Sequence, residues 1–336
     1  MKRVATLIIF AGALLALEGC GSSKESAEKV PTWPNPPDPA RITYVKTYRS
    51  DEDFKSGFSK TLESLGGERT ALTFSRPFDV TGDNRGHIFV SDGLQGVIMI
   101  DENKSEYRKL VCKKCGFSTD QPRGIACDSS RVFVGYPSLG QIVVFNYDGD
   151  FLDTIGHRGS FPNPIDVVCD APRHRIFVVD NRLHQVKVFR DNGDTLFTIG
   201  KRGLEDGEFN FPQSLTVDAS GTIYVVDAFN FRIQAFDSTG KFLRKFGRQG
   251  DEWGAFAMPK GIAVDSDTNI YVLDAQHQHF QIFNQEGRLL LFVGQYSSGN
   301  DGFINPVSMF IDNHDRIYVT DQLNRRVQVF QYLKHK

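Results

Sequence analysis

Ile223-Tyr224-Val225-Val226-Asp227 decides the fold, because the same five-residue pattern returns along the chain at nearly constant spacing. It recurs as Ile270-Tyr271-Val272-Leu273-Asp274 and as Ile317-Tyr318-Val319-Thr320-Asp321. Earlier copies are Ile88-Phe89-Val90-Ser91-Asp92 and Ile176-Phe177-Val178-Val179-Asp180, while Val132-Phe133-Val134-Gly135-Tyr136 ends in Tyr instead of Asp. The fifth position falls at 92, 136, 180, 227, 274 and 321, in steps of 44, 44, 47, 47 and 47. Two landmarks keep the register. Pro77, Pro122, Pro164, Pro212, Pro259 and Pro306 each stand six residues before an Asp. Nine residues after the fifth position comes Phe145, Phe189, Phe236, Phe283 or Phe330, with Ile100 one residue early in the first copy. Much of the large Phe content, 28 residues against 2 Trp, is thereby explained as one core layer per repeat.

Within the fourth copy, Leu215–Val217, Ile223–Val226, Ile233–Phe236 and Phe242–Phe246 are β-branched or aromatic runs bounded by Gly, Asp and Asn, the mark of short strands. No helical period of useful length runs through 75–333. Four strands in a repeat of about 40–50 residues are what a β-propeller blade requires, and solenoids of that period are mostly helical. The fold class expected is all-β: a six-bladed β-propeller of four-stranded blades over 41–333. An open ring would leave two sheet edges exposed. The sixth copy ends near Leu333 with three strands, so the alternating segment 42–48 is expected to supply the fourth. Residues 49–74 would connect back to blade one, with Phe58, Leu62 and Leu65 on a short amphipathic helix.

Gly207, Phe209, Pro212, Asp218, Gly221, Asp227, Asn230, Arg232-Ile233-Gln234, Phe236, Gly240 and Phe246-Gly247 together resemble an NHL repeat. Asp321 to Phe330 matches as well, whereas copies one and two lack the Asn and Arg. The resemblance spans about 43 to 333. It implies the propeller fold and, in most members, a binding role rather than a defined reaction.

The N-terminus addresses the chain. Lys2 and Arg3 precede an uncharged apolar run from Val4 to Leu17, as in a secretory signal peptide, here 1–19. Leu17-Glu18-Gly19-Cys20 resembles a bacterial lipoprotein box, departing from it at Glu18, and that resemblance implies lipidation at Cys20. Bacterial lipoproteins with one NHL-type propeller have a similar layout. Gly21 and Ser22 lack the Asp read in that class as an inner-membrane retention signal, which points to the outer membrane. Residues 20–40, polar and then rich in Pro, are expected to form an extended tether. Cleavage takes the net charge from −2 to −3. Export and that charge speak against nucleic acid as a partner.

Asp180, Asp227, Asp274 and Asp321 form a row of acids, but a charge repeated blade after blade reads as structural pairing with Arg or backbone N–H groups. His277 and His279 read as surface turn residues without a third metal ligand. Metal-dependent lyases that resemble NHL proteins need several converging His. The residues after the six blade prolines are Phe78, Arg123, Ile165, Gln213, Lys260 and Val307, none of them His. Asp79 and Asp166 stand where other blades keep Gly or Ser, yet two carboxylates make a poor calcium site. No metal and no cofactor are expected. Cys112 and Cys115 have disulfide spacing suited to an oxidising compartment. Gly116 follows where a c-type haem site would need His. Cys127 and Cys169 replace apolar residues and read as buried small hydrophobes.

The function expected is a lipid-anchored extracytoplasmic protein that binds protein, peptide or glycan on one propeller face. Arg123, Gln213, Lys260, Asp79 and Asp166 are its candidate ligand-binding residues, with exposed Phe229 and Phe231 near the rim. The alternative is a metal-assisted lyase or lactonase acting at the axial channel.

Overall fold

The computed structural model describes residues 30–54, 71–112 and 115–334. Six antiparallel sheets form a ring, nearly all of it β-structure. Blades one to five occupy 77–110, 125–155, 164–199, 212–246 and 259–293, each with four strands in chain order. The first strand of every blade touches the first strands of both neighbours, so these strands surround the axis. Blade six takes Pro306–Ile311, Arg316–Asp321 and Arg326–Tyr332 from the end of the chain. Its fourth strand is Ile42–Tyr48, paired antiparallel with Arg326–Tyr332 from Ile42↔Tyr332 to Tyr48↔Val327. The ring is closed by the two ends of the propeller sequence, as the alternation of 42–48 predicts.

The outer edge of blade six differs from expectation. Thr32–Trp33 adds a short fifth strand against Ile42 and Thr43, and the Trp33 ring meets Phe330 edge-on at 5.7 Å. Residues 31–40 therefore belong to the propeller unit rather than to a tether. The indole gains apolar contact on the sheet edge, while Pro34, Pro36 and Pro37 occupy the reversal between the two strands. The signal segment, Cys20 and the proposed helix around Phe58, Leu62 and Leu65 lie outside the described residues. On either side of that last segment, Ser50 bridges Thr73, and the Phe74 N–H donates to the Arg49 carbonyl at 3.1 Å.

The core is divided into six clusters, one in each gap between neighbouring blades. Phe145, Phe189, Phe236, Phe283 and Phe330 are buried, as their spacing requires. In blades three to six a second aromatic comes from the segment leading into the blade: Phe161, Phe209, Phe256 and Phe303 are fully buried against that layer, with ring centres 5.7–5.8 Å apart. The glycine that follows the outer strand in blades two to five makes this possible. A Cβ on Gly200 would lie 2.2 Å from the Phe209 ring, and one on Gly247 would lie 2.4 Å from Phe256, with both glycines at positive φ.

The repeated acids act as inner ties. Asp92, Asp180, Asp227, Asp274 and Asp321 are fully buried. Asp274 accepts from the N–H groups of Ala257, Met258, Gln276 and His277, joining the lead-in of its blade to the turn after the second strand. In blades four and six the same carboxylate also pairs with Arg232 at 2.8 Å and Arg326 at 2.7 Å. Blade five puts His279 where those arginines stand. His279 opens the third strand and is buried, which corrects its reading as a surface turn residue. Its ring stacks on His277 at 5.2 Å and contacts Trp253 at 5.6 Å. Burial, and secondarily the neighbouring His277, pushes its pKa down to about 4. Among the described residues no group of three His, Cys, Asp or Glu side chains is placed to hold a metal ion.

Candidate functional site

The residues following the six blade prolines meet at one end of the axis. Phe78, Arg123, Ile165, Gln213, Lys260 and Val307 line a single cavity of about 310 Å³, together with Arg76, Asp79, Asp166, Ser214, Asn305, Ser308 and Gln322. The local cause is a bulge. In five blades the proline pairs with the residue at the end of the second strand, for example Pro259 with Asp274, and the register then shifts before the next pair. A bulge releases one residue from the ladder and re-aims its side chain. Blade two reaches the same result differently: its first strand starts only at Ile125, and Arg123 is held by its N–H to the Gly135 carbonyl at 2.9 Å.

Below this mouth runs a girdle of Asp79, Asp166, Ser214 and Ser308, which also line a wider axial cavity of about 590 Å³ beyond it. Gly124 continues the ring because a Cβ there would come within 2.5 Å of the Asp166 Cα. Both carboxylates reach across to the next blade. Asp79 accepts from the Val80 N–H at 2.8 Å, from Ile125 N–H of blade two at 2.7 Å, and from the Ser308 hydroxyl of blade six at 2.5 Å. Asp166 accepts from Leu215 N–H of blade four at 2.8 Å. These two acids are inter-blade ties in the first place, and they present the axis with what charge remains.

That charge is incomplete. Burial lifts the Asp79 carboxyl to about 6, against the pull of its three hydrogen bonds. Burial also lifts Asp166 well above the usual carboxylate range, with the Asp79 charge adding to it. Since the folded ring holds the Asp79 proton more tightly than the unfolded chain does, this group makes stability fall as pH rises from about 4 to about 6, then level off. The span corresponds to about 3 kcal/mol at most. Asp79→Asn is expected to remove that slope, so that the variant gains on the parent as pH rises from 4 to 7.5. Parallel melting curves across that range would contradict it.

Three cations face the mouth from other directions. The Arg123 guanidinium lies 3.9 Å from the centre of the Phe78 ring, and Arg76 lies 5.2 Å from the same ring. Burial lowers the pKa of Arg123, with Arg76 contributing, and burial lowers that of Lys260, with Arg123 contributing. Among the described residues, none of the three forms a salt bridge with a carboxylate. Arg76, Asn305 and Gln322 escaped the sequence reading because they sit one residue before a blade proline or just after the repeat acid; extending the comparison of blades to those positions would have found them.

The remaining candidates are dispersed. Cys127 and Cys169 are half-buried on the wall of the wider cavity, aligned with Val217, Val264 and Ile311, rather than fully buried. Burial raises both thiols, Cys169 to about 12, so they stay protonated and unreactive. Cys112 and Cys115 are joined as a disulfide with Cα atoms 5.7 Å apart, in the loop between blades one and two. Phe229 is exposed and leans on Phe211, ring centres 5.1 Å apart, while Phe231 is half-buried; neither lines the mouth.

A family model described as a 6-bladed β-propeller matches residues 163–246 and 219–281. No curated protein matches the chain. Among solved structures, a Bacteroides thetaiotaomicron protein of unknown function is 15% identical with a TM-score of 0.60, covering 79% of this chain and 71% of that one. An auxiliary nutrient binding protein from the same organism is 17% identical with a TM-score of 0.57, covering 78% and 70%. Virginiamycin B lyase from Staphylococcus aureus is 10% identical with a TM-score of 0.55, covering 77% and 96%. At such identities the likeness is one of fold.

Proposed function

We propose that this six-bladed propeller is a lipid-anchored extracytoplasmic binding protein that engages a protein, peptide or glycan at its axial mouth. The observation that carries the reading is the convergence of six unlike side chains, from six blades, on one polar cavity. Converging polar groups of different kinds in a concave site are the usual basis of specific binding. A repeat ring held together by identical contacts has no structural need for that variety. The sequence resemblance to NHL-type lipoproteins supports the anchor at Cys20 and an outer-membrane address, and the fold shared with a nutrient binding protein agrees with a binding role.

Two measurements test it. Cys20→Ala is expected to move the full-length protein from the membrane fraction to the soluble fraction with an unchanged melting temperature; unaltered membrane association refutes the anchor. Partners captured by cross-linking on native membranes should be lost in Arg123→Ala and Gln213→Ala variants that fold normally. Equal capture by parent and variants refutes the mouth as the binding site.

A further inference from the structure

The cations at the mouth are arranged at a cost to the fold. Arg123 and Lys260 are half-buried, come from blades two and five, and each faces another cation instead of a carboxylate. Arg76 adds a third positive charge on the Phe78 ring. Neither the Arg123 guanidinium nor the Lys260 ammonium donates a hydrogen bond to any described residue. Among the described residues, the carboxylates lining the cavity are Asp79 and Asp166, already engaged by N–H and hydroxyl donors of adjacent blades. Partly desolvated charges of one sign, with donors unfilled, are destabilising unless something of opposite sign joins them.

We infer that the mouth holds one compact anionic group of its ligand, a carboxylate, sulfate or phosphate, between Arg76, Arg123 and Lys260. The inference rests on the mouth being the binding site and adds the chemistry that it recognises. Guanidinium groups present paired N–H donors that match the oxygens of such anions, and Lys260 adds a point charge. Gln213, Asn305 and Gln322 line the same cavity; Asn305 donates to Gln322 at 3.1 Å and Gln322 to the Pro77 carbonyl at 3.1 Å, so the amide oxygens of Gln213 and Asn305 are the neutral acceptors offered to hydroxyl or amide groups on the anion's carrier. The girdle acids beneath set the depth: an anion stops above them, which leaves its carrier outside the ring.

The test uses Lys260→Gln and the double variant Arg123→Gln/Lys260→Gln. With no added anion and at low salt, Lys260→Gln is expected to melt higher than the parent, because a partly buried unpaired charge has been removed. Sodium sulfate and sodium glucuronate, each at constant ionic strength made up with sodium chloride, are expected to raise the parent's melting temperature. The double variant should show at least half of that shift lost, which separates site binding from the general stabilisation that sulfate confers by exclusion. Glucose at the same concentration should do nothing. A larger shift with glucuronate than with sulfate identifies an anion carried on an organic ligand, and the reverse identifies a free inorganic anion. Anion shifts equal in parent and double variant, or a Lys260→Gln protein that melts lower than the parent, would overturn the inference. A partner captured through the mouth but bearing no negative charge would overturn it as well, while leaving the binding role intact.

Discussion

Arg326→Ala is expected to cost the propeller about 3–5 kcal/mol, the range for removing one partner from a buried ion pair. Arg326 and Asp321 are both completely buried, with Nε 2.7 Å from the carboxylate. The other guanidinium nitrogens donate to the carbonyls of Ser298 at 2.9 Å, Gly299 at 2.7 Å and Gly302 at 2.9 Å. One side chain therefore fastens the loop leading into blade six to that blade's third strand. Burial already holds the Asp321 carboxyl above its usual pKa with Arg326 beside it. Alanine would strip that carboxylate of its cation, leaving it the Ile304 N–H and the Asn324 amide, and would leave the Ser298 and Gly299 carbonyls without the guanidinium, while Gly302 keeps Gln328. Against a typical total of about 5–15 kcal/mol, such a loss brings the domain close to unfolding at ordinary temperature. Arg326→Lys should recover only a fraction, since one ammonium cannot span the same acceptors. Urea denaturation of both variants checks this, and a cost below about 1 kcal/mol for Arg326→Ala would show the network to be dispensable.

The second large effect concerns ring closure. A chain beginning at residue 41 is expected to lose modest stability, through Thr32–Trp33 and the Trp33–Phe330 contact. A chain beginning at residue 50 should lose far more, to the point of aggregation or a much lower melting temperature. That second truncation removes the whole strand Ile42–Tyr48 and uncovers the edge of Arg326–Tyr332, an unpaired template for association. It also removes Ile42 and Tyr48 from the two clusters that flank blade six. Each buried side chain of that size contributes about 1.5–3 kcal/mol. Glu102 of blade one then loses Lys46, at 2.6 Å, and the Tyr48 hydroxyl, keeping only Arg316 at 3.0 Å. Equal melting temperatures for the two truncations would refute closure by this strand.

Much of this architecture is legible in the residues because it repeats. Blade number, the Phe layer and the structural acids each follow from a pattern that occurs several times, so that one ambiguous copy is corrected by the others, and the closing strand follows from the one blade that this pattern leaves a strand short. Where the pattern breaks, the reading weakens. His279 looked like a turn residue because its blade lacks the Arg that marks the position, yet the strand pairing keeps it buried in that same place. Trp33 lies in a Pro-rich stretch with no repeat to compare it with, and its contact is with Phe330, almost the full chain length away.

By itself the sequence determined the fold class, the register of the blades and which positions deviate from the repeat, since these depend on local alternation and on spacing along the chain. Only the tertiary structure decided what the deviations do. Asp79 and Asp166 looked alike as polar intruders with Arg123, Gln213 and Lys260, but the acids tie neighbouring blades together while the cations make no salt bridge with any described residue. The physical reason is that a side chain's partners at the axis come from other blades, 40 or more residues distant in the chain. Whether a charge there is satisfied or left for a ligand depends on how the ring brings those blades together, which no local pattern encodes.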